Sequence, residues 1–140
     1  MLVVVHPGSA CGSADFNLGL IEGAIARERL TRTIMRWGEQ IIVIDGELSD
    51  ELKTYAQLGL ALENARSAQR LQRIDADAEQ PQWAQYAAGH ISRRATSKRI
   101  MLTGAWHHPS DRQGCIDHLQ SVLANDHGIK AEIMPCSLTL

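Results

Sequence analysis

The chain alternates short apolar runs with longer amphipathic stretches. Leu2-Val3-Val4-Val5 and Ile41-Ile42-Val43-Ile44 are apolar at every position, the pattern of strands covered on both faces in a parallel sheet. The stretch "KRIMLTGAW" predicts a further strand near residues 99–104, and "AEIMP" a last one near 131–135, cut short by Pro135. Residues 71–77, "LQRIDAD", fit either a short strand or a connection.

Between these runs the periodicity becomes helical. Residues 17–36 carry two stripes in succession: Leu18, Ile21 and Ile25, then Leu30, Ile34 and Trp37 after a phase shift. Gly19 and Gly23 weaken the first half of this helix and leave room for close packing; Gly38 stops it. Ser49 or Asp50 is placed to cap a helix over about residues 50–70, with Tyr55, Leu58, Leu62 and Ala65 on its stripe. Pro81 opens a helix through about residue 94, with Trp83, Ala87 and Ile91 inward. A helix near 111–126 puts Ile116, Leu119 and Leu123 on one side and ends at Gly128. Strand-helix alternation predicts one α/β domain over residues 1–140. The expected fold is a small three-layer α/β/α domain, Rossmann-like or flavodoxin-like, with a four- or five-stranded mainly parallel sheet.

Composition narrows the class without naming a function. The chain has 140 residues, 44% hydrophobic and 21% charged, ordinary for a soluble globular domain. Net charge is −2, so no broad basic field attracts nucleic acid. Arg29, Arg32 and Arg36 share a helical face, the nearest approach to a basic patch. No apolar run reaches the roughly 20 residues of a membrane span, and the N-terminus reads as a strand rather than a targeting segment. The expected compartment is the cytoplasm. Cys11, Cys115 and Cys136 are odd in number and widely spaced, which fits free thiols better than a disulfide framework. A sheet this small leaves an edge strand or a helix face open, so a homodimer is compatible with it.

In an open parallel sheet, ligands bind beyond the carboxyl ends of the strands, where the strand order reverses. Four loops fall there, and they carry all three cysteines together with His6, His107 and His108. The first, "HPGSACGS", offers Gly8, Ser9, Gly12 and Ser13 as an anion cradle of backbone N–H groups and hydroxyls, with Cys11 inside it. It is neither a Walker A loop nor GxGxxG, and an ordinary Gly/Ser turn has the same composition. The second loop begins with Asp45, the acid best placed to orient a base. The third holds Trp106, a flat surface for a ligand or a cover for the sheet, then His107 and His108. Asp75, Asp77 and Glu79 alternate, but without the glycine and closing Glu of an EF-hand.

Cys115 is the second thiol candidate. Its environment depends on helix register: Ser110 and Gln113 match an S-x-x-Q capping box that would bury it in the second turn. A start at Gly114 would instead place it among free N–H groups that favour thiolate. His6, His107 or His108 would then serve as base and Asp45 as orienting acid. A metal set from His6, Cys11, His107, His108 and Cys136 has suitable donors but none of the usual spacings.

The stretch "LTGAWHHPSDRQGCIDHL" resembles the isochorismatase-like cysteine hydrolases, in which a strand ending in Thr-Gly precedes a cysteine that opens a helix. The resemblance covers this stretch alone and implies Cys115 as nucleophile. It departs at His6, where that family ends its first strand with a catalytic Asp. It departs again at Lys98, nearer its strand than the family's lysine, and at the long insertion "HHPSDRQG". The sequence thus leaves two classes of function open. One is a protein with a small-molecule site for an anionic ligand, extending to a thiol-dependent enzyme on Cys11 or Cys115. The other is a noncatalytic structural or interaction module.

Overall fold

The structure, a computed structural model, describes residues 1–45, 55–95 and 99–140. Strand β1 is Leu2–Val5, followed by a 3-10 turn at Pro7–Ala10, helix α1 at Gly12–Leu18 and helix α2 at Leu20–Arg36. Strand β2 (Ile41–Asp45), helix α3 (Ala56–Ser67) and strand β3 (Leu71–Asp75) come next. Helix α4 (Trp83–Arg94), strand β4 (Met101–His107), helix α5 (Cys115–His127) and strand β5 (Glu132–Ile133) complete the alternation. The sheet runs β3-β2-β1-β4-β5 with every pair parallel. A two-residue strand β6 (Leu138–Thr139) pairs with the far end of β4. The expected small α/β three-layer domain is therefore the observed one.

Strand alternation divides the core in two. Val3, Val5, Ile42 and Ile44 face α4 and α5, where Trp83, Ala87, Ile91, Ile116, Leu119 and Leu123 cover them. Leu2, Val4, Ile41 and Val43 face α2 and α3, against Leu30, Ile34, Leu58, Leu62 and Ala65. The stripes expected for the last three helices are thus core stripes, with Tyr55 half-buried at the margin. Edge strand β3 buries Ile74 and turns Gln72 and Arg73 to solvent, which is how the ambiguous "LQRIDAD" accommodates an edge.

Several boundaries differ from the sequence expectation. The helix predicted over 17–36 is two helices, broken at Gly19 with φ +86. Glycine tolerates that conformation without a Cβ penalty. Helix α1 folds back on α2, where Gly23 leaves no room for a Cβ beside the Asp15 carboxylate. That carboxylate accepts hydrogen bonds from Arg27 at 2.8 Å and from the Tyr55 hydroxyl at 2.5 Å. The Tyr55 bond first, then the Arg27 bond, holds the Asp15 carboxyl below the usual carboxylate range. Leu18, Ile21 and Ile25 were expected on an inward stripe. Ile21 is instead 75% exposed and Ile25 37%, while the second stripe, Leu30 and Ile34, is fully buried. Strand β4 extends three residues past the expected Gly104, and β5 is shorter than expected. The proposed cap at Ser49 or Asp50 lies outside the described residues.

The sheet is tightest between β1 and β4. Gly104 pairs with Val5 and has φ +103, and a Cβ there would fall on the Val5 carbonyl and amide. Replacing Gly104 with Ala is expected to combine a strained φ with a backbone clash and to destabilise the fold by more than about 2 kcal/mol. Denaturant unfolding of the variant beside the parent measures it; a loss under half that size would mean the two strands can separate at little cost.

Candidate functional site

The residues between β1 and α1 form a closed turn. Ser9 N–H donates to the His6 carbonyl at 3.0 Å and Cys11 N–H to the Gly8 carbonyl at 3.1 Å. Gly8 N–H donates to Asp45 Oδ2 at 3.3 Å, so an internal carboxylate already sits on the amide expected to meet a ligand. Neither Gly8 nor Gly12 adopts positive φ; His6 does, with φ 44. Gly8, Ser9 and Ser13 are half-buried and Gly12 exposed. Cys11 is 0% exposed and packs into the α2–α3 core. The turn accordingly brings Asp45 to Gly8 and turns Cys11 inward, away from any ligand approaching from solvent.

The three thiols do not converge. Cys115 packs on the α4–α5 core, with the sheet between it and Cys11. Cys136 Sγ lies 3.3 Å from Thr103 Oγ1, and Thr103, next to Leu102 of the α4–α5 core, faces the other side by strand alternation. Trp106 packs against the α2–α3 core too, not beside Cys115. The metal set drawn from the sequence does not assemble: among the described residues no three His, Cys, Asp or Glu side chains are grouped to hold an ion.

A different cluster forms on the α4–α5 face. Helix α5 opens at Cys115, with Gly114 as its N-cap and no side-chain cap. The S-x-x-Q match is not the helix start, because Gln113 N–H donates to Asp111 Oδ1 at 3.0 Å in a turn that precedes it. Cys115 thus lies at the first helical position, where amides lack intrahelical partners. It lines a cleft of about 400 Å3 with Trp83, Arg112, Gln113, His118 and Ser121, within the size range of ligand pockets. A smaller hollow of about 300 Å3 at α2–α3 and a larger one of about 530 Å3 at β3–α4 contain no cysteine.

Two histidines flank this cleft through Trp83. The His6 ring lies 4.6 Å from the Trp83 ring and the His118 ring 6.0 Å from it. His6 Nε2 is 3.2 Å from the Ala76 carbonyl. A carbonyl only accepts, so the ring carries its proton on Nε2 and leaves Nδ1 as the basic nitrogen. Burial pushes the His6 pKa below the ordinary histidine value. Burial also pushes the Cys115 thiol up, so Cys115 needs a base to react near neutral pH.

His107 and His108 are held elsewhere. The Asp117 carboxylate, 0% exposed, pairs with His107 Nδ1 at 2.8 Å and accepts the His108 N–H at 2.6 Å. It also lies 3.4 Å from Arg112 Nε, while Arg112 donates to Gln120. His108 Nδ1 stands 3.6 Å from Asp111. Residues two apart on a helix do not face each other, so Asp117 draws His107 away from the Cys115 side. Close packing makes this possible, since a Cβ at Gly114 would meet the Trp106 carbonyl and lie 2.9 Å from Asp117 Oδ2. Sequence reasoning missed Asp117, Arg112 and His118 as site residues. The one available signal was the spacing of three between Cys115 and His118, one face of a helix that opens there.

Fold and cleft define a parallel α/β protein with a helix-opening thiol beyond the carboxyl ends of its strands. No protein-family model, curated protein or solved structure matches the chain. Among the described residues no helix is long and apolar enough to cross a membrane.

Two outcomes are expected. Asp117→Asn removes the charge that His107, His108 N–H and Arg112 share, and should cost about 1–3 kcal/mol of stability. Urea titration of the variant measures it, and parent-like stability would show that the loop before α5 holds without the carboxylate. His6 has a folded-state pKa below its unfolded value near 6.5. Its contribution is complete above pH 6.5 and is lost as pH falls from there toward the folded value, because the unfolded chain binds the extra proton. Unfolding free energy measured across that window should decline with acid, and less steeply in His6→Gln; identical slopes would count against a neutral buried ring.

Proposed function

We propose that the cleft at the start of α5 binds a small anionic molecule and that Cys115 acts on it as a nucleophile. The observation that carries this reading is the position of Cys115: first residue of an uncapped helix, in a cleft shared with Arg112 and His118. The helix N-terminus and the guanidinium both favour negative charge. The strand order adds support. Reversal between β1 and β4 marks the crevice where ligands of such sheets bind, and His6 stands at the end of β1. The order β3-β2-β1-β4-β5 is shared by the first five strands of the dinucleotide-binding arrangement, which favours the Rossmann-like form of the expected fold.

In this reading His118 is the base. The thiol proton passes to its imidazole, Cys115 Sγ bonds to an electrophilic carbon, and the imidazolium returns the proton to the departing group. His6 and Trp83 form the wall behind it. Asp117 acts at one remove by fixing Arg112, and Cys11 and Asp45 have structural parts. Protonation of the buried thiol by default explains why a base must be within reach.

Alkylation kinetics test the proposal. Iodoacetate, which is anionic, should modify Cys115 several-fold faster than iodoacetamide does, relative to the same two reagents on a free thiol. Millimolar phosphate or sulfate should slow both, and His118→Gln should lower the rate near neutral pH. Peptide mapping assigns each site, and Cys11 should stay unmodified in the folded chain. Equal reagent preference at Cys115 with no protection by anions would overturn the reading.

A further inference from the structure

Helix α2 carries two apolar stripes, and the monomer buries one of them. Leu30 and Ile34 are 0% exposed and seat the helix on the sheet. Ile21 and Ile25 stand nine residues before them, about 180° round a helix of 3.6 residues per turn. That opposite face is open: Ile21 is 75% and Met35 64% exposed. Leu20, at the start of α2, and Phe16, in α1, are 76% and 89% exposed. Large apolar side chains exposed along one helix face mark an interaction surface.

The spacing identifies its form. Ile21, Ile25, Glu28, Arg32 and Met35 recur at intervals of four, three, four and three, the seam of a helix that packs lengthwise on another helix. The middle of the seam is a charged pair, Glu28 and Arg32, 2.6 Å apart within one chain with both side chains more than half exposed. Two such helices laid antiparallel about a two-fold axis between Glu28 and Arg32 place each Glu28 opposite the partner's Arg32. The same axis sets each Ile25 opposite the partner's Met35. A two-fold interface must be self-complementary, and this seam is so in both charge and apolar contact. In the parallel arrangement Glu28 would meet Glu28 and Arg32 would meet Arg32.

We infer that α2 is the contact face of a homodimer, two copies of this chain joined along antiparallel α2 helices. The face lies across the sheet from the Cys115 cleft, so the inference stands independently of the proposed chemistry.

Sedimentation equilibrium of the full chain across the micromolar range tests it. A monomer–dimer equilibrium is expected in the parent. Glu28→Arg and Arg32→Glu should each shift it strongly to monomer, because each sets like charges against each other across the axis. The double variant Glu28→Arg/Arg32→Glu should dimerise again, since the swap restores opposite charges. Circular dichroism shows each variant to be folded; the pair is exposed, and an exposed pair within one helix adds little to stability. A parent that is monomeric at every concentration overturns the proposal. So does a dimer that withstands both single reversals, or a double variant that stays monomeric.

Discussion

The carboxyl edge of this sheet depends on the close approach of two backbones. Gly104 of β4 lies against Val5 of β1 with no space for a side chain. The pairing of these two strands ends at that point, where β1 gives way to a turn while β4 runs on to His107 beside β6. From β1 the chain turns at once through His6, whose positive φ carries its ring onto Trp83. From β4 it continues through Ala105 and Trp106 toward the start of α5. The cleft lies beyond them, between Trp83 at the start of α4 and the first turns of α5 with the loop before it.

A second constraint then fixes how α5 begins. Asp117 is buried with three partners: His107, the His108 amide and Arg112. A lone carboxylate at that depth would be strongly disfavoured, so the β4–α5 loop must keep its donors in place for the helix to form. Gly114 lets Trp106 and Asp117 close on each other, and Cys115 follows as the first helical residue. The same carboxylate lies in the first turn of the helix, where negative charge is favourable. It therefore offsets part of the positive potential at the helix start and pairs with Arg112, which lines the cleft.

The layers of the fold were legible because they rest on periodicity. Runs such as Val3-Val4-Val5 and Ile41-Ile42-Val43 have one physical home, between two helical layers. The stripes at Leu58, Ala87 and Leu119 point to one face each. Element ends were less legible, since they are set by contacts distant in sequence. Nothing local to Gly19 distinguishes a weak helical position from a break; the break exists because Asp15 reaches Gly23, Arg27 and Tyr55. The start of α5 is similar. Ser110 and Gln113 satisfy a local capping rule, but the buried Asp117 decides the register.

The site was legible as an edge of the sheet and not as a set of residues. The rule for parallel sheets points to the loops beyond the strand ends, and His6 and Cys115 lie there on one face. Which face each loop residue takes is a matter of alternation and of partners no local pattern shows. Cys11, Cys136 and Trp106 fall on the α2–α3 side, and His107 turns to Asp117. The same reasoning accounts for the two stripes of α2. A phase shift in the sequence can mean that a helix bends to keep one face buried, or that it has two faces to bury. Here the helix runs unbroken from Leu20 to Arg36, with the second stripe buried and the first exposed. The chain holds two apolar faces on one continuous helix, and its own sheet can cover one.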